Sequence, residues 1–388
     1  MRSTCPTRAR RIPLTALYVG VSVLLWACTG SGTGTAGTAG TTASSESTES
    51  TSTTNTSATS ASPSQTTLQS PTTVEAPGTT AVTRPIPFEA LSLDAYPVPP
   101  GSRPHDVAPA ADGGVWYTAQ GSGELGWLDP STGDTRHIPL GSGSRPHGVI
   151  VAADGSAWVT DGGLNAIVRF DPMTEEVTTY PLPADRPNAN LNTAAFDGNG
   201  LLWFTGQNGI IGALDTATGQ MSVSDAPRGR GPYGIAATPA GTIYFASLAG
   251  SYVGRLAPDG SVTVLEPPTP SQGARRVWSD SGGSIWVSEW NSGQLSRYEP
   301  AAESWRTWAL PGPAPQAYAV YVDETDIVWI SDFGGNAILR FDPTTEMFDT
   351  LPLPSNPGNV RQILGRPGEV WGAESAADQL IVIRRASG

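Results

Sequence analysis

The chain has 388 residues, 15% of them charged and 38% hydrophobic, and a formal net charge of −13. All 22 basic residues are arginines and no basic patch stands out, which excludes nucleic-acid binding as the expected role. Both cysteines, Cys5 and Cys28, lie near the N-terminus, so disulfides and cysteine metal sites are excluded from everything after them.

Residues 1–27 read as a lipoprotein signal peptide. Arg2, Arg8, Arg10 and Arg11 supply a positive start, and Ile12 to Trp26 supply an apolar stretch of h-region length. The stretch ends in Leu25-Trp26-Ala27-Cys28, which resembles a bacterial lipobox: a small residue before a cysteine that is lipidated and becomes the mature N-terminus. The expectation is a protein exported and lipid-anchored through Cys28 to the outer face of a bacterial cell membrane, several acyl chains sufficing to hold it there. From Cys28 to residue 87 the chain is almost entirely Thr, Ser, Gly, Ala and Pro. Such a segment cannot bury enough apolar surface to offset its ordering entropy, so it reads as a disordered linker.

From residue 88 onward one motif repeats. Trp116, Trp158, Trp203, Tyr244, Trp286, Trp329 and Trp371 recur at spacings of 42, 45, 41, 42, 43 and 42. Each sits in a short run such as GVWYTA or SAWVTD, whose alternation reads as a half-buried strand. A shorter apolar strand precedes it, joined by a turn such as Asp112-Gly113, Asp154-Gly155 or Asp197-Gly198 that suits a tight hairpin. A third strand like AIVRFD (166–171) and a fourth ending in a motif like TYPLP (179–183) follow. Four antiparallel strands in such a period make a propeller blade.

Seven blades fit the chain, at about 102–140, 144–183, 189–228, 231–270, 273–311, 315–354 and 358–388. The last lacks a fourth strand. Residues 91–99, LSLDAYPVP, match that missing strand and predict a ring closed from the N-terminal side. Closure removes a free sheet edge. The fold class is therefore all-β, a seven-bladed β-propeller over residues 88–388, and a monomer is the default for a closed ring.

The start of the first strand and the end of the second lie on the same face of every blade. The first position reads His105, His147, Asn192, Tyr233, Arg275, Tyr318 and Val360; the second reads Ala119, Asp161, Gly206, Ser247, Glu289, Asp332 and Glu374. This face gathers two of the three histidines, four carboxylates, and Arg275 beside Arg276. Asp161, Glu289, Asp332 and Glu374 are candidate ligands for Mg²⁺ or Ca²⁺, which favour oxygen donors. His147 and His105 are candidates for proton transfer. Tyr233, Arg275, Arg276 and Trp290 suit an acidic or aromatic ligand.

The runs SRPHDVAPAADGGVWYTA, SRPHGVIVAADGSAWVTD and GARRVWSDSGGSIWVSEW resemble those of the streptogramin B lyase (virginiamycin B lyase) family. The resemblance covers about 89–388. It implies a Mg²⁺-dependent carbon–oxygen lyase that opens a cyclic depsipeptide by elimination. It also implies a substrate-contacting His in one blade, a proton-accepting His in the next, and two metal-holding Glu. On blades four and five those positions read Tyr233, Arg275, Gly273 and Glu289. Rotated onto blades one and two they read His105, His147, Arg145 and Asp161. Two expectations follow: a metal-assisted lyase with His147 as base, acting on an extracellular small molecule or cyclic peptide, or a non-catalytic propeller that binds a ligand or partner on the same face.

Overall fold

The computed structural model describes residues 86–386. The expected signal peptide, lipidated Cys28 and nearly all of the linker lie outside the described residues. Among those described, no helix is long and apolar enough to cross a membrane.

Seven four-stranded antiparallel sheets form, each in sequence order except the last. Blade one takes Pro104–Pro109, Val115–Ala119, Glu124–Leu128 and Thr135–Pro139 from the channel outward. In blade seven, Leu91–Pro97 becomes the outermost strand, paired antiparallel with Gln379–Arg385 from Leu91↔Arg385 to Pro97↔Gln379. Tyr96 packs against Trp371 with ring centroids 5.5 Å apart, and Arg384 binds both Asp94 and the Tyr96 hydroxyl, so the predicted closure is made by packing and polar contacts together.

The second strand carrying each recurrent aromatic is more buried than its alternation implies. All five residues of Val115–Ala119, Ala157–Asp161 and Ile285–Glu289 are buried. A blade is covered on both faces by its neighbours, so polar members of the alternation must find partners inside. The outer strands keep the alternating, half-exposed pattern.

The Asp-Gly hairpins are also longer than two-residue turns. Gly113 N donates to Ala110 O, Ala110 N donates to Gly114 O, and Gly113 takes φ 96°. That is the three-residue loop with a left-handed glycine. Asp112 contributes by accepting from Gly114 N at 2.8 Å.

Candidate functional site

Every innermost strand carries a register shift at the same place, between Pro104 and Val107 in blade one and between Val360 and Ile363 in blade seven. A bulge re-aims the side chains it contains. Here the repeated bulge places His105, His147, Asn192, Tyr233, Arg275, Tyr318 and Arg361 at equivalent positions around the channel. The sequence spacing named Val360 for blade seven. The hairpin of that blade is one residue shorter, so Val360 pairs with Glu374 and Arg361 takes the bulge position.

Buried hydroxyls fix these bulges in five of the seven blades. Thr118 Oγ1 accepts from Asp106 N and donates to His147 O, both at 2.9 Å. Thr160 does the same for Gly148 N and Asn192 O, and Ser288 for Arg276 N and Tyr318 O. Each hydroxyl stands two residues after its blade's aromatic and couples one blade's bulge to the next. That Ser/Thr recurrence was present in the sequence as an unused signal.

His105, Asp106 and His147 converge. His105 Nδ1 lies 2.7 Å from Asp106 Oδ1, the two imidazoles are 3.8 Å apart between centroids, and Arg276 reaches across the channel to both Asp106 oxygens at 3.0 and 3.3 Å. The close approach of Arg276 requires Gly234, where a Cβ would stand 2.6 Å from Arg276 Cα. Burial, then the charges of Arg361, Arg276 and Arg275, hold His105 well below its ordinary value. Burial, then His105, does the same to His147. Both rings are neutral at pH 7. Asp106 accepts the His105 Nδ1 proton, which leaves Nε2 as that ring's acceptor. Asn192 Nδ2 donates to His147 Nε2 at 3.2 Å, which puts the His147 proton on Nδ1, a buried atom without a hydrogen-bond partner.

Across the channel, the Arg275 guanidinium lies 3.6 Å from the Tyr318 ring centroid, 4.5 Å from that of Tyr233 and 4.6 Å from that of Trp290. Its Nη2 donates to Tyr233 Oη at 2.9 Å, and the Tyr233 and Tyr318 hydroxyls are 2.5 Å apart. Burial opposes ionisation of Tyr318, but Arg275, Arg276 and Arg361 outweigh it and bring the phenol below its ordinary value. Burial and the neighbouring Tyr318 push Tyr233 the other way.

The structure does not bring the four expected metal carboxylates together. Each turns into the loops of its own blade. Asp161 accepts from Arg145 N, Gly163 N and Leu164 N at 2.9 Å and from the Ser144 hydroxyl. Asp332 accepts from Gln316 N and Gly334 N. Glu289 is held by Ser292 and Ser296, and Glu374 by Gln379. Burial raises both glutamates. Asp161, Asp332 and Glu289 already satisfy buried backbone and hydroxyl donors and are occupied as acceptors, whereas Glu374 Oε1 is buried without a partner.

The metal-ligand group among the described residues is His105, Asp106 and His147, whose donor atoms lie within 4.8 Å of one another. This cluster can coordinate a divalent metal ion. His147 Nδ1 has no hydrogen-bond partner, but it would serve as a ligand only in the other tautomer, with the Asn192 amide turned away from donating to Nε2. Two imidazoles and one carboxylate are a borderline donor set, less characteristic of Mg²⁺ or Ca²⁺ than an all-oxygen set. Asp106 would have to share its oxygens with Arg276. Sequence reasoning found both histidines and missed Asp106, although PHD in blade one departs from PHG in blade two.

Gly273 stands where the resemblance implies a metal-holding Glu, and the backbone there disfavours one. Gly273 has φ 68°, and a Cβ there would stand 2.7 Å from Asn291.

No curated protein sequence matches the chain. Among solved structures, a streptogramin B lyase superposes with TM-score 0.71 at 22% identity, covering 77% of this chain and 99% of its own. Virginiamycin B lyase from Staphylococcus aureus superposes with TM-score 0.71 at 19% identity, covering 76% and 99%. A catalytically inactive variant of that enzyme with quinupristin gives 0.70 at 20%, with the same coverage. These likenesses establish the fold. A profile described as the Virginiamycin B lyase family matches residues 89–313, more than half of the chain, and the protein therefore belongs to the virginiamycin B lyase family.

Proposed function

We propose that this chain is an exported lipoprotein, anchored through Cys28, whose channel site opens a cyclic ester or depsipeptide by elimination. The observation that carries the chemistry is the His105–Asp106 pair at 2.7 Å, with Asp106 anchored by Arg276. Asp106 orients the neutral imidazole so that Nε2 is the proton acceptor, which favours His105 over His147 as the base. Nε2 takes the proton from a carbon next to a carbonyl. The released electron pair forms a C=C bond, the adjacent C–O bond breaks, and the ester oxygen leaves within a carboxylate. The Arg275 guanidinium and the Tyr318 hydroxyl stand across the channel where they would stabilise negative charge developing on the carbonyl oxygen.

A second reading rests on the clustered donors. His105, Asp106 and His147 would hold a divalent ion, expected as Mg²⁺ or Ca²⁺, which when bound supplies Lewis-acid polarisation of the carbonyl. In that reading His105 is a ligand and its Nε2 is not the base.

The test is incubation of the full chain with quinupristin and related cyclic esters, followed by mass spectrometry. Elimination gives a linear product of unchanged mass with a new double bond, whereas hydrolysis adds one water. His105→Asn is expected to lower kcat by about 10²- to 10⁴-fold. Turnover that survives exhaustive chelation supports the first reading over the second. A hydrolytic product, or full turnover by His105→Asn, sinks the assignment of His105. No turnover on any cyclic ester leaves a non-catalytic binding propeller.

A further inference from the structure

The protein is acidic overall, yet the channel mouth is not. Two depressions of about 510 and about 530 Å³ adjoin there and share Arg103 and Gln120. The first adds Arg145 and His147, and the second adds Arg361. Elsewhere most arginines are matched with carboxylates, as in Arg136–Glu175, Arg306–Glu346 and Arg340–Asp349, while Arg230, Arg255 and Arg385 are not. Among the described residues Arg103, Arg145, Arg275 and Arg361 have no carboxylate partner. The one acid lining either depression, Asp378, spends both oxygens on Gly101 N and Arg103 N at 2.8 and 2.6 Å. That contact holds Arg103 at φ 44°, a left-handed conformation a side-chain-bearing residue rarely adopts.

Two buried donors here lack partners, and one of them lines the mouth. His147 is 7% exposed, lines the first depression, and carries on Nδ1 a proton that no acceptor receives. Arg275 Nε is likewise buried without a partner. Deeper in the channel Asp106 is consumed by Arg276, so it leaves the other guanidinium groups uncompensated. An oxyanion entering this mouth would meet fixed positive charge on several sides and a waiting N–H donor. Guanidinium forks match carboxylate geometry, and a low-dielectric wall strengthens the attraction.

We propose that the channel mouth is an anion site and that its ligand is a small organic molecule bearing a carboxylate, held by Arg103, Arg145 and Arg361 with His147 Nδ1–H as the hydrogen-bond donor. The assignment concerns binding and stands whether or not the ligand is turned over.

Titration calorimetry on the full chain tests it with succinate, citrate, inorganic phosphate and the neutral isostere succinamide. Succinate or citrate is expected to bind, more weakly as salt rises, while succinamide does not bind. Arg361→Gln and the exposed Arg145→Gln are each expected to weaken binding on the order of tenfold. Arg136→Gln, on the outer surface, leaves it unchanged. Unfolding midpoints of the unliganded variants close to that of the parent confirm that a loss is local. Succinamide binding like succinate, phosphate binding as tightly as the carboxylates, no effect of either arginine change, or no binding of any anion would each overturn the proposal. Carboxylate binding without turnover of any cyclic ester would leave it standing and count against the lyase reading alone.

Discussion

His105 and His147 occupy positions where an imidazole has to stay neutral. Each is buried, and three guanidinium groups bear on His105. In the unfolded chain the same rings take up protons near their ordinary value of 6.5. Below that value the unfolded state holds more protons than the folded one, so stability falls as pH drops from about 6.5 toward the depressed folded values. Asp106, Glu289 and Glu374, raised by burial, work in the opposite sense at lower pH. The readout is therefore a difference between variants. Between about pH 7.5 and about pH 5.5, the loss of unfolding free energy in urea is expected to be smaller in His147→Asn than in the parent. An equal or larger loss in the variant would show that His147 is not held neutral.

At the scale of the element, two devices place the site: the recurrent bulge and, in five of the seven blades, the hydroxyl two residues after the blade aromatic. The strands themselves were legible, because a period near 42 residues and a matching N-terminal segment leave little freedom in pairing. The bulges were not, since an extra residue in one strand appears only when its partner's register is known. The miss at Arg361 shows this: counting from Trp371 selects Val360, and only the shorter hairpin moves the position by one. The closing strand is the element most open to test. Leu91, Leu93 and Tyr96 pack against the core cluster and Val98 is part of it, each worth up to about 2 kcal/mol when buried. Replacing Leu91–Pro99 by a Gly-Ser run of equal length is expected to lower the unfolding midpoint by roughly 10 °C and to expose the edge formed by Leu380 to Ile383. An unchanged midpoint in calorimetry would mean that the ring does not depend on this strand.

For the whole molecule, charge is sorted by position. Carboxylates predominate in the composition, yet Arg103, Arg145 and Arg361, which have no acidic partners, gather at the channel mouth. The proposed tether belongs to this scale too. Cys28→Ala expressed in a bacterial host is expected to move the protein from the membrane fraction to the soluble extracytoplasmic fraction, checked by detergent phase partitioning. An unaltered distribution would remove the lipid anchor. By itself the sequence determined the architecture: blade number, closing strand, the absence of cysteine chemistry from the propeller, and the ring positions of both histidines. Those follow from periodicity and spacing, which are local along the chain. Only the tertiary structure decided that Asp106 is the partner of His105, that Arg276 reaches it from blade five across the channel, and that Asp161, Glu289, Asp332 and Glu374 turn back within their own blades. Side-chain direction at a bulge and competition for buried donors are properties of packing between blades. No spacing along the chain encodes them.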